Sequence, residues 1–258
     1  MYPARAQLNL LTLPDFPLVC PGDDLAELIS TSLQKASLKL ENGDVLVIAQ
    51  KIVSKAENRY AYLNQIIPTA KAEQLALEVE KDPRLVQLIL DESKEVVAKR
   101  PGVLIVEHKR GFVHANAGID QSNISSLEND PRVLLLPEDP DKSAEKLCHK
   151  LKTGQLSQLS IIINDSAGRA WRNGSIGFAI GTNGFEALEN MIGHRDLYDR
   201  EMVVTEVAVA DELAAAASFL MGQANESAPV VLIRGAQMKP SNAGSAMLIR
   251  DKHKDLFR

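Results

Sequence analysis

The chain has 258 residues, 45% of them hydrophobic and 24% charged, with a formal net charge of -5 and a sequence pI near 5.6. That balance describes a folded, water-soluble chain of one large or two small domains, and it excludes wholesale disorder, a fibrous class and any general electrostatic attraction to nucleic acid. No apolar run approaches the roughly 18 to 20 residues a bilayer span needs, and prolines interrupt the start MYPARAQLNLLTLPDFP too early for a leader, so a cytoplasmic location without a membrane partner is expected.

In chain order, helical spacing is expected over 24–36, with Asp24 placed as a cap, and a buried strand at 45–48. Helices are expected at 72–80 and 83–98, then strands at 103–106 and 133–136, with turns at 99–102 and 128–131. A helix at 143–152, a strand at 161–163 and a short strand at 203–204 follow. The alanine-rich 210–221 reads as a helix stopped by Gly222, and 230–233 as a last buried strand. The class is α/β, or α+β if the sheets are antiparallel. Cys20 and Cys148 lack CxxC spacing, which removes zinc ribbons and thioredoxin-like chemistry and leaves no disulfide expected.

Familiar nucleotide and zinc signatures are missing: there is no G-x-x-x-x-G-K-[ST], no G-x-G-x-x-G after a strand and no H-E-x-x-H. Histidines are scattered, and His114 reads as a surface or packing residue. Three polar constellations adjoin predicted strands. After 45–48 come Lys51 and Lys55, four apart, suited to hold phosphate or to form a solvated basic face. In HANAGIDQSN, Asp120 and Asn123 would share a metal or hydroxyl ligand, or else make an Asx-type turn.

The third is IIINDSAGRAWRNGSIGFAIG, where Asp165 and Ser166 follow a buried run. Ser166 as an acyl nucleophile would need a G-x-S-x-G elbow, and the string is N-D-S-A-G. An adjacent carboxylate and hydroxyl suit Mg²⁺ or Mn²⁺ better, because hard cations take oxygen ligands and leave room for phosphate and water. Gly174, Gly177, Gly181 and Gly184 would serve tight turns or close backbone approach, while Arg169 and Arg172 would clamp an anionic substrate or simply face solvent.

Taken in order, FPLVCPGDDLAELI, GDVLVIAQKIVSKAE, HANAGIDQSN, LLLPEDPDKSAEKL, NDSAGRAWRNGSIGFAIG and TEVAVADELAAAASFLMG resemble the coenzyme F420:L-glutamate ligase (F420-0:gamma-glutamyl ligase) family over nearly the whole chain. The resemblance implies a GTP-dependent ligase that adds L-glutamate to the phospholactate carboxyl of coenzyme F420-0 through an acyl phosphate and then extends a γ-linked tail. It implies GTP contacts at Phe16, Pro17, Leu18, Val19, Gln50, Lys51, Lys55, Asn123 and along Met221, Gly222, Gln223, Ala224, Asn225, Glu226, Ser227 and Ala228. Metal ligands map to Asp120, Asp165, Ser166 and Gln223, and catalytic roles to Asp120, Asp165 and Lys55.

Also implied are Mg²⁺ or Mn²⁺ at two sites, K⁺ as a further ion, and an intertwined homodimer of two-domain, mixed-sheet subunits. The boundaries expected are a discontinuous nucleotide-contacting domain at 1–74 and 196–258 around a middle domain at 75–195, without the nitroreductase-like fusion that some members carry. Two departures stand out: Gln223 is a neutral amide where a carboxylate would bind a cation more strongly, and Asn58 replaces a common glycine in a left-handed turn that asparagine tolerates. They motivate two alternatives, ligation to another acidic acceptor and a nucleotide- and metal-binding homologue without catalysis.

Overall fold

A computed structural model describes residues 7–126 and 130–256. The chain opens with β1 (Asn9–Thr12), α1 (Leu25–Lys35), β2 (Asp44–Ala49) and α2 (Gln50–Ala56). Its middle holds β3 (Tyr60–Tyr62), α3 (Ala70–Val79), α4 (Pro83–Asp91), β4 (Ser93–Arg100), β5 (Val103–His108), β6 (Val113–Ala115) and β7 (Arg132–Leu134). Then come α5 (Pro140–Leu151), β8 (Leu159–Arg169), β9 (Arg172–Asn183), β10 (Glu189–Asn190), β11 (Glu206–Val207), α6 (Val209–Met221) and β12 (Val230–Arg234). Residues 128 and 129 of the turn expected at 128–131 lie outside the described residues, as do 1–6 of the start read for a leader.

The main sheet runs β1-β12-β2-β8-β9, antiparallel except for the central parallel pair β2 and β8. Side chains alternate between its faces. Leu46, Ile48, Ile161, Ile163 and Leu232 pack with residues of α1 and α5, while Val45, Val47, Ile162, Val231 and Ile233 pack with α6. Covering both faces is why these strands read as unbroken apolar runs rather than alternating ones. Each such side chain contributes roughly 1.5–3 kcal/mol by leaving water.

Caps set the helix starts. Asp24 accepts from the Ala26 and Glu27 amides before α1. Asp82 and Asp139 cap α4 and α5, each followed by a proline at the first helical position, where its missing N–H costs nothing. The Asn58 residue sits at φ 54, the left-handed conformation its type tolerates.

Three expectations are corrected. The helix expected at 83–98 ends at Asp91, and 93–100 forms β4, because the Pro101-Gly102 turn folds it antiparallel onto β5, where β-branched Val96 and Val97 suit a strand. The strand expected at 203–204 is absent, since Val203 and Val204 are largely exposed and the short ladder of this excursion is β10 with β11. The run read as a strand at 161–163 belongs to a strand of 11 residues, so Asp165 and Ser166 lie within β8, not beyond its end.

A third apolar cluster, with Leu75, Val79, Val86, Ile89, Leu104 and Val106, draws on residues between 63 and 133. β8 and β9 join β2 in the main sheet, beside β1 and β12 from the two ends of the chain. Among the described residues, no helix is long and apolar enough to cross a membrane.

Candidate functional site

The parallel pairing of β2 with β8 ends at its carboxyl side with Ala49 opposite Asn164, where β2 passes directly into α2 at Gln50 and β8 runs on to Arg169. Such carboxyl ends open onto crevices where ligands bind in α/β proteins. A cleft of about 560 Å³ lies there, walled by the 16–19 loop, the start of α2, the 114–123 segment, β8 and the 221–229 loop after α6. Every residue assigned a nucleotide, metal or catalytic role from the sequence lines this one cleft. Arg169 and Arg172 do not: they sit at the exposed end of the β8–β9 hairpin, where Arg169 donates to the Gly174 carbonyl at 3.4 Å.

The 16–19 loop is anchored by Phe16 and Val19, whose side chains belong to the core, so contact with a ligand falls to its main chain and to exposed Leu18. Met221 is likewise a core residue, receiving the Asn164 amide at 3.7 Å through its sulfur. Gly177 on β9 packs so tightly that a Cβ would stand 2.6 Å from Asn164 Oδ1 and 2.7 Å from the Ala214 carbonyl. The expected close approach is met at this glycine, whereas Gly174 has open space and a left-handed φ of +85.

The basic and acidic groups form a connected set. Gln50 Nε2 donates to Asp120 Oδ2 at 3.0 Å, and Gln50 Oε1 accepts from Ser54 Oγ at 3.0 Å. Lys51 Nζ stands 3.2 Å from the same oxygen and donates to the Ser122 carbonyl, while Ser122 Oγ donates to Asp120 Oδ1 at 3.2 Å. Lys55 Nζ donates to the Asn123 carbonyl at 2.9 Å, and Asn123 Nδ2 to the Ala224 carbonyl at 2.9 Å, tying the middle segment to both rims. Asp120 and Asn123 thus take different protein partners within the same cleft. Burial, and next the neighbouring Lys51 charge, lowers the Lys55 pKa.

The backbone delivering Asp120 is unusual. Asn116, Ala117 and Gly118 follow one another at φ 51, 55 and 71, and only the last is glycine. Left-handed conformations cost L-residues of order 1–2 kcal/mol each, and such strain gathers at functional sites. The Asn116 Oδ1 acceptor is buried without a partner.

Asp165 faces His114, a residue the sequence reading set aside. His114 Nε2 lies 3.2 Å from Asp165 Oδ2, at ion-pair distance but without the alignment of a hydrogen bond, and both atoms are buried without another partner. Burial pulls the His114 pKa down, but the Asp165 carboxylate, the Ala115 carbonyl and Asp120 outweigh it and hold the pKa above its ordinary value. The only local signal was that His114 shares the HANAGID block with Asp120; its meeting with β8 is a long-range pairing that spacing does not encode.

Among the described residues, no three His, Cys, Asp or Glu side chains converge as a ready-made metal cage. The oxygen donors nevertheless fit a hard divalent cation. Asp165 Oδ2 is a buried carboxylate oxygen without a hydrogen bond, the Ser166 side chain is its neighbour on the cleft wall, and Asp120 and Gln223 line the same space. Gln223 Nε2 donates to Ser218 Oγ at 3.1 Å, and Glu226 accepts the Ala224 amide at 2.8 Å, folding the 222–227 loop onto itself.

Comparison with known proteins gives a consistent result. The F420-0:Gamma-glutamyl ligase family model matches residues 15–235. The coenzyme F420:L-glutamate ligase of Methanothermobacter thermautotrophicus is 43% identical over 253 residues, covering 97% of this chain and 99% of that protein. Those of Methanocaldococcus jannaschii and Archaeoglobus fulgidus are 44% identical over 246 residues and 39% over 252, covering 95% and 98% of this chain and 94% and 97% of theirs. With its blocks in order and its candidate residues gathered in one cleft, the chain belongs to the F420-0:gamma-glutamyl ligase family.

Proposed function

We propose that this protein is a GTP-dependent ligase that adds L-glutamate to the terminal carboxyl of coenzyme F420-0 and then extends a γ-linked tail. The carrying observation is that three distant segments place Lys51, Lys55, Asp120, Asp165 and Ser166 around one cleft, in a chain 97% covered by a relative named for this ligation. A carboxylate is a poor acyl donor, so a carboxylate oxygen attacks the γ-phosphorus of GTP, GDP departs, and an acyl phosphate results. The amine of glutamate attacks its carbonyl carbon, inorganic phosphate leaves with one former carboxylate oxygen, and the amide remains.

Little covalent work falls to the protein; positioning and charge neutralisation dominate. Lys51 and Lys55 meet phosphate oxygens, and the lowered Lys55 pKa reflects a partly desolvated ammonium whose field is less damped than in water. Asp165, Ser166, Asp120 and Gln223 would hold Mg²⁺ or Mn²⁺, which when bound offsets the negative charge that repels an attacking carboxylate. For that, Asp120 exchanges its contacts with Gln50 and Lys51, which frees Lys51 for the nucleotide.

The implied homodimer is part of the same proposal. Exposed Leu197, Tyr198, Val203 and Val204 on one excursion support it, as apolar surface of this kind marks association. Oxygen labelling tests the chemical route: with ¹⁸O in the acceptor carboxylate, the phosphate released should carry one label. Unlabelled phosphate alongside amide product would refute the acyl phosphate.

A further inference from the structure

We propose that His114 is a positioning residue that fixes the Asp165 carboxylate for cation binding; this rests on the reading of Asp165 as a metal ligand. The imidazole is itself held on several sides. Nδ1 lies 2.8 Å from the Ala115 carbonyl, which fixes the ring's edge. It lies tilted against Phe178 at 5.7 Å and T-shaped to Phe112 at 6.4 Å between ring centroids, and Phe112 is in turn stacked on His108 at 4.8 Å. The remaining nitrogen, Nε2, is thereby directed at Asp165 Oδ2, 3.2 Å away.

The carboxylate is restrained from two directions, since Oδ1 accepts the Ser166 amide at 2.8 Å. An aligned hydrogen bond from His114 would consume a lone pair of Oδ2. The imidazole instead holds Oδ2 at ion-pair distance while the Ser166 amide holds Oδ1, so both ends of the carboxylate are oriented on the wall of the cleft. Phe178 is the register partner of Asp165 across the β8–β9 ladder, so the residue that packs the imidazole also sets the strand that carries the ligand. Partners behind a ligand of this kind, when removed, typically weaken metal affinity or activity 10–100-fold.

The test uses Mn²⁺ alone, titrated into the full-length protein and followed by electron paramagnetic resonance, in wild type, His114→Phe, His114→Gln and Asp165→Asn. His114→Phe keeps an aromatic ring against Phe112 and Phe178 and is expected to bind Mn²⁺ about 10–100-fold more weakly with an unchanged circular dichroism spectrum. His114→Gln, which returns an N–H donor, should recover part of that loss. In metal-free protein, the ¹⁵N resonance of His114 Nε2 should move on Asp165→Asn; this reads the contact without any loaded enzyme and decides the question if His114→Phe does not fold.

Wild-type Mn²⁺ affinity in His114→Phe while Asp165→Asn loses it would overturn the positioning role alone. Unchanged affinity in Asp165→Asn would overturn both that role and the metal assignment beneath it. An Nε2 resonance indifferent to Asp165→Asn would also count against the proposal.

Discussion

Asp165 and Gly177 show how single side chains answer to different physics. Asp165→Asn keeps the shape of the group but removes the charge from a buried oxygen that has no hydrogen bond. Metal-dependent GTP turnover should fall by orders of magnitude with the fold intact, as steady-state kinetics beside circular dichroism will show. Turnover near wild type would mean that the charge is not used. Gly177→Ala should instead act on stability: its methyl must displace the Ala214 carbonyl or Asn164, costing about 1–3 kcal/mol in urea denaturation. Lys51, Lys55, Asp120, Asn123, Asp165 and Ser166 stood out because oxygen-ligand and phosphate-holding types lie beside buried runs, whereas Gln50 and the 16–19 and 221–228 segments came only with the family resemblance. His114 was not, since its role depends on a carboxylate 51 positions away, brought within 3.2 Å by the packing of β6 on β8. Nor did composition reveal that Phe16, Val19 and Met221 turn inward and leave the main chain to face the cleft.

At the next level up, β4, β5 and β6 form a hairpin sheet that carries the 114–123 segment to the cleft. Its weak point is His108 at the end of β5, 4% exposed and stacked on Phe112. Burial, with the charges of His114 and Arg110 adding to it, pushes its pKa down to about 4 despite Glu92 at 3.9 Å. The unfolded chain takes up a proton near pH 6.5 and the folded one does not until about pH 4. The stability from neutral His108 is thus fully present above pH 6.5 and is lost progressively as pH falls towards 4. By pH 5 the loss should reach about 2 kcal/mol, and urea midpoints for His108→Phe should be flatter over that range than for wild type. Equal slopes would contradict the assignment. The β4 strand itself was misread because the periodicity of 83–98 suits a helix; the Pro101-Gly102 turn and the ladder to β5 outweigh that local preference. The buried strands β2, β8 and β12 were plain in the sequence, since both faces of the main sheet are covered and apolar runs are then unbroken.

For the molecule as a whole, the mixed sheet matches the expected class, while the partition into units follows pairing that no local pattern encodes. β8 and β9 join β2 and β12, and the third core stays within 63–133. Leu197 and Val204, on the excursion between β10 and β11, are exposed, and the proposed dimer rests on that apolar surface. Light scattering should give a dimer for wild type and a monomer for Leu197→Asp with Val204→Asp; a wild-type monomer at micromolar concentration would remove the dimer from the account. The decisive measurement is the mass of the product formed when pure protein is given coenzyme F420-0, L-glutamate, GTP and Mn²⁺. Species heavier by one or more glutamyl units, formed only with GTP present, are predicted. An unmodified acceptor after incubation with folded protein would contradict the proposed function.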